Sequence, residues 1–135
     1  MTNRNKAKGD TEERAVLAIL RAAGFPHAER TRAGRAEDQG DIFLDNAVGL
    51  TPSVIAQCKN VATPNWTAWL GELDDQRRRS KAVHAFLTWK RSRPGGKPPH
   101  RLAIMPLEMF TQLLREAGYG EPLENGCDAT EIGVK

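Results

Sequence analysis

Hydrophobic positions along the chain switch between two spacings. Val16, Leu17, Ile19, Leu20 and Ala23 fall on one face of a 3.6-residue helix, and Gly24 supplies its stop. Asp10, with Glu13 three residues on, has the form of a capping box and places the helix start near Gly9 or Asp10. The spacing then tightens. Residues 27–31, 40–45 and 53–60 are short apolar or β-branched runs, the mark of strands. Residues 33–39 read as a loop, and Asn46, Gly49 and Pro52 punctuate the next gap. Trp66, Trp69, Leu70 and Leu73 return to the helical interval, with Thr63 as cap and Pro64 as the first helical residue. Residues 83–90 and 101–105 read as two more strands, separated by a basic, Pro- and Gly-rich hairpin loop. Pro106 opens a last helix whose stripe is Leu107, Phe110, Leu113 and Leu114, ended by Gly118. The predicted order is helix, three strands, helix, two strands, helix: an α/β fold whose central mixed sheet has about five strands flanked by helices.

At 135 residues the chain fits one domain with a modest core. Residues 1–7 and 120–135 read as flexible tails. No apolar run is long enough for a bilayer, and the polar residues 2–6 do not lead into a signal-peptide core. The expected setting is therefore soluble and cytoplasmic, with no membrane partner. Cys58 and Cys127 lack metal-ligand spacing and fit a reduced compartment without a structural disulfide. Net charge is only +3, but its distribution is uneven. Residues 77–101 hold nine Lys/Arg and no acid, whereas residues 36–76 hold seven acids and one lysine. An acidic centre between basic flanks suits a metal site on a polyanion-binding surface.

Candidate chemistry lies in that acidic centre. Residues two apart on a strand share a face, so Gln57 and Lys59 project together while Cys58 points away. Hairpin pairing of residues 40–45 with 53–60 would bring Asp41 to the same patch. Such a patch suits hydrolysis of a phosphodiester assisted by Mg²⁺, with Mn²⁺ able to substitute. Asp41 is the charged ligand, the Gln57 amide oxygen and the Cys58 backbone carbonyl add neutral donors, and Glu13 adds a second carboxylate directly or through water. Capping is the competing role for Glu13. Lys59 cannot bind metal, but its ammonium can orient the attacking water or stabilise charge on the phosphate. Arg30, Arg32 and Arg35 precede Asp41, and Arg91, Arg93 and Lys97 lie in the basic loop; all six are candidate contacts to a DNA backbone. Trp66 and Trp69, at helical spacing, read as core or interface residues before stacking platforms, and Gln76 continues their stripe towards the site.

These residues carry a family resemblance. The chain resembles the PD-(D/E)XK nuclease superfamily, whose restriction-endonuclease-like core has a leading helix, a three-stranded meander, a helix and a returning strand. Lys8-Gly9-Asp10-Thr11-Glu12-Glu13-Arg14 is similar to the Lys-Gly-x-x-x-Glu-Arg opening of archaeal-type Holliday junction resolvases. Gly40-Asp41-Ile42 matches the family's aspartate on the second strand, and Gln57-Cys58-Lys59 falls where its (D/E)-x-K signature lies. Gln57 departs from the usual carboxylate, in the Gln-x-Lys form typical of Mrr-type restriction endonucleases. The resemblance covers roughly residues 8–105 and implies a Mg²⁺-dependent DNA endonuclease, encoded by a prokaryote or phage. Within the superfamily it implies a Holliday junction resolvase acting on four-way junctions as a homodimer, with Trp66, Trp69 or Leu70 as interface candidates. An Mrr-like restriction or repair nuclease, and a non-catalytic DNA-binding subunit that lost turnover through Gln57, are the alternatives.

Overall fold

A computed structural model of the chain describes residues 4–31, 38, 40–45 and 54–121. Arg32, Arg35, Cys127, the break at 46–53 and nearly all of the expected C-terminal tail lie outside the described residues. The elements are α1 (Arg4–Ala22), β1 (Glu29–Arg30), β2 (Ile42–Phe43), β3 (Val54–Lys59), α2 (Trp66–Ser80), β4 (His84–Arg91), β5 (His100–Ile104) and α3 (Leu107–Glu116). This is the order that the hydrophobic pattern predicts.

The strands form one five-stranded sheet in the order β1-β2-β3-β4-β5. β1, β2 and β3 are an antiparallel meander, β4 lies parallel to β3 after the α2 crossover, and β5 returns antiparallel to β4. The chain divides into two compact units. Residues 1–104 hold the sheet with α1 and α2; residues 105–135 hold α3, which carries its apolar stripe with none of its residues buried.

Strand alternation gives the sheet two apolar faces. Val16 and Leu17 of α1 pack with Ile42, Leu44 and Ala56 on one face. Trp69 and Leu73 of α2 pack with Phe43, Ile55, Ala85 and Leu87 on the other. Ile42, Ile55 and Leu87 are wholly buried, each contributing roughly 1.5–3 kcal/mol by its removal from water.

Local details depart from the sequence expectations. α1 begins at Arg4 and not near Gly9, because residues 4–8 contain good helix formers and a single Gly9 costs only about 1 kcal/mol. Asp10 is then an interior residue, and the capping box does not form. Its carboxylate instead meets Arg30 Nη2 at 2.9 Å and Lys6 Nζ at 3.7 Å. The cap of α2 moves from Thr63 to Asn65, whose Oδ1 accepts the Ala68 N–H at 3.2 Å. His27 lies in the turn before β1 and is exposed, not a strand residue. The β4–β5 hairpin turns through Gly95 and Gly96 at φ 74° and 69°, backbone conformations that glycine adopts without steric cost.

Candidate active site

β2 is short, but its ladder runs on at both ends. Asp41 N–H donates to Ala56 O at 3.0 Å and Leu44 N–H to Val54 O at 3.0 Å. The register pairs Ile42 with Ala56, and Asp41, whose N–H bonds to that same Ala56, enters beside this residue, which directly precedes Gln57 in β3. Gly40 makes this entry possible. It is buried at φ 93°, and a Cβ there would lie 3.4 Å from Ala56 O.

Gln57 and Lys59 share a strand face with Ile55. Phe43 and Ile55 both pack towards α2, so alternation carries Gln57 and Lys59 onto the α2 face at the rim of the sheet, while Asp41 reaches that rim from the neighbouring strand through its bond to Ala56. Asp41 Oδ2 accepts the Cys58 N–H at 2.8 Å. Burial pushes the Asp41 carboxyl up to about 7, and the Glu13 and Asp38 carboxylates push the same way; the Cys58 N–H and the Lys59 ammonium oppose them. Gln57 Oε1 is buried and takes no hydrogen bond among the described residues. A buried amide oxygen without a partner costs about 1–3 kcal/mol, a cost that a cation or a water would offset; Gln76 Oε1 is in the same condition.

Lys59 is held by α2. Its Nζ lies 3.2 Å from Glu72 Oε1 and 5.3 Å from the centroid of the Trp69 ring. Gln76, on the same helix, is buried and donates through Nε2 to Asp38 Oδ2 at 2.7 Å, while Asp38 Oδ1 accepts the Gly40 N–H at 3.0 Å. Asp38 thus ties the turn before Asp41 to α2.

Glu13 reaches the site's field from α1, on the other side of the sheet. Its Oε1 accepts from Arg30 Nε at 3.0 Å and Nη2 at 2.7 Å. Arg30 is therefore engaged by Glu13 and Asp10, and the bond from Arg30 holds the Asp10 carboxyl below its ordinary range. The neighbouring Glu12, only 2% exposed, accepts from Arg101 Nε at 2.8 Å and Nη2 at 3.0 Å. The Cys58 thiol packs with the α1 face, and burial pushes it up to about 12, which leaves it inert as a nucleophile.

Of the loop cations, Arg91 ends β4 and is exposed, Arg93 donates from Nη1 to Pro98 O at 3.4 Å, and Lys97 is exposed. Trp69 is buried and Leu70 half-buried, so Trp66 is the one exposed side chain of the three interface candidates. The sequence reading missed Asp38, Glu72 and the Glu12–Arg101 pair. An Asp two residues before Gly40 does carry an Asx-turn signal; for Glu72 and Arg101 no local signal exists.

Among the described residues no three His, Cys, Asp or Glu side chains are grouped to hold a metal ion. A cation here would depend on neutral oxygens beside Asp41. No helix among them is long and apolar enough to cross a membrane. No family model matches the chain, and neither does any curated protein or solved structure.

Proposed function

We propose that the chain is a Mg²⁺-dependent DNA endonuclease with a restriction-endonuclease-like core, and that its substrate is a four-way junction cut by a homodimer. The observation that carries this reading is the meeting, at the rim of two adjacent strands, of a largely buried carboxylate bonded to the Cys58 N–H with the neighbouring Gln57 amide oxygen, which is buried and has no partner among the described residues, and with Lys59 two residues beyond. The antiparallel meander followed by a helical crossover to a parallel strand supports the core assignment.

The donor set suits a lightly held Mg²⁺, which prefers a few protein oxygens and keeps several waters. Asp41 would supply the charge and Gln57 Oε1 and the Cys58 carbonyl neutral oxygens, while Glu13, engaged by Arg30, would act through its field or a bridging water. When bound, the ion supplies neutralisation of phosphate charge and acidification of a water. The chain's own residues do the rest. The Cys58 N–H fixes one Asp41 oxygen. Burial keeps Asp41 protonated below about pH 7, so readiness for a cation rises with pH. Lys59, braced between Glu72 and Trp69, holds an ammonium beside the patch for a water or a phosphate oxygen.

A labelled four-way junction beside a linear duplex of the same sequence, incubated with Mg²⁺ or EDTA, tests this. Paired symmetric nicks on the junction alone, lost with EDTA and with Asp41→Ala, are expected. Cutting of both substrates would instead place the chain with Mrr-like restriction or repair nucleases, in line with Gln-x-Lys. A second reading, a non-catalytic DNA-binding subunit, is favoured by the want of a third metal-ligating side chain at the site among the described residues. It predicts junction binding insensitive to Mg²⁺ and no cutting with any divalent ion.

A further inference from the structure

A cleft of about 610 Å³ opens beside the candidate site. Its walls include Trp66 and Trp89, and Lys8, Lys90 and Arg91 line it with no acidic residue among them. It starts where the candidate site ends: Asn60, in its lining, follows Lys59 directly, and Trp89 is the register partner of Lys59 across the parallel β3–β4 pair. It thus lies at the carboxyl ends of the two parallel strands, where open α/β sheets generally take their ligands.

The aromatic corner is pre-ordered. Trp66 and Trp89 meet edge to face, with centroids 5.4 Å apart and an interplanar angle of 84°. Trp66 also meets the buried Trp69 edge to face at 5.4 Å and 87°. Trp89 Nε1 donates to Val61 O at 2.9 Å, which fixes its indole in place. Core packing accounts for Trp69 but not for Trp66, which stays 38% exposed. Ordered indoles beside cations that meet no acid in the cleft lining, in a space of ligand size, form a stacking platform with an electrostatic funnel.

We infer that this cleft seats an unpaired nucleotide of a nucleic-acid strand, its base against the Trp66–Trp89 corner and its flanking phosphates against Lys8, Lys90 and Arg91. A paired base has its faces covered by neighbours in the duplex, so the cleft selects interrupted stacking. This extends the nuclease reading by naming what it recognises next to the scissile phosphate: a nucleotide freed at a branch point.

Binding in EDTA separates the two ideas, because no cleavage is needed. The probes are a fluorescein-labelled oligothymidine of about ten nucleotides and a hairpin duplex of similar length, followed by anisotropy and tryptophan emission. Oligothymidine should quench the tryptophans. Trp66→Leu should weaken its binding about tenfold or more and leave the duplex within about twofold, while Trp66→Phe, which keeps an aromatic face, stays near wild type. Lys90→Ala/Arg91→Ala should weaken both probes and reduce the slope of log K against log salt on oligothymidine by about 1.4; this surface variant carries the test should Trp66→Leu not fold. Equal losses on both probes in Trp66→Leu, absence of quenching, or competition by polyglutamate as strong as by oligothymidine would overturn the inference. Junction cutting that fails while these binding results hold would sink the nuclease reading alone.

Discussion

Asp41 holds its proton to about pH 7 because burial strips the water that would stabilise its charge, and the Glu13 and Asp38 carboxylates add repulsion. Without a cation this makes the residue a liability at neutral pH. Between an ordinary carboxyl value of 3.8 and about 7 the folded chain retains a proton that the unfolded chain has released. Stability therefore falls as pH rises through that window and is flat above it. Asp41→Asn cannot ionise and can still accept the Cys58 N–H. Thermal melts in EDTA should show the variant equal to wild type near pH 4 and more stable at pH 8, by at most about 4 kcal/mol. A difference independent of pH would show that Asp41 is not buried as described. Mg²⁺ should restore wild type at pH 8 and leave the variant unmoved. The antiparallel pairing of β2 with β3 was legible in the sequence, because strand spacing and hairpin register are local rules. The engagement of Arg30 by Asp10 and Glu13 was not, since it joins residues from separate elements.

Two successive glutamates on α1 show how an element distributes charge. Neighbouring helical residues point about 100° apart, and here they serve different strands: Glu13 binds Arg30 on β1, and Glu12 binds Arg101 on β5. Those strands are the two edges of the sheet, so α1 is tied to both. Glu12 is the more buried partner, at 2% side-chain exposure against 27% for Arg101. Arg101→Met would leave that carboxylate buried without its two hydrogen bonds, at a cost of about 2–4 kcal/mol. Urea unfolding should show this loss at pH 8, and Glu12→Gln in the same chain should recover much of it by removing the orphaned charge. A single-variant loss under 1 kcal/mol would mean that the pair behaves as a surface ion pair. The helix was foreseen from its apolar stripe but begun too late, because Asp10 and Glu13 have the spacing of a cap and only the tertiary structure reveals their partners. α2 was likewise placed correctly and capped two residues early; Thr63-Pro64 is a strong local signal that Asn65 outcompetes by reaching Ala68.

At the scale of the molecule, the order of elements and a mixed sheet of about five strands followed from the alternation of helical and strand-like spacing, while the spatial order of the strands did not. The association of protomers has no such local signature, and it is where the proposed function makes its sharpest demand. A four-way junction is resolved only when two strands are cut symmetrically, so a two-fold dimer must bring two sites to one junction, each with its own Asp41. Mixing wild-type chains with an excess of Asp41→Ala chains, with exchange allowed before substrate is added, populates dimers with one working site. On a supercoiled plasmid bearing an extruded cruciform, wild-type protein should release linear product from paired incisions, and mixed dimers should accumulate nicked circles. The nicked fraction should rise with the share of variant chain as the population of one-site dimers does. Sedimentation of the same mixtures should report twice the mass of the 14.9 kDa chain. If linear product falls only in proportion to the wild-type protein present, with no build-up of nicked circles, each chain cuts alone, and a restriction-type or repair nuclease replaces the resolvase. That outcome would leave the chemistry assigned to Asp41, Gln57 and Lys59 intact, because it tests how sites are paired and not how one site works.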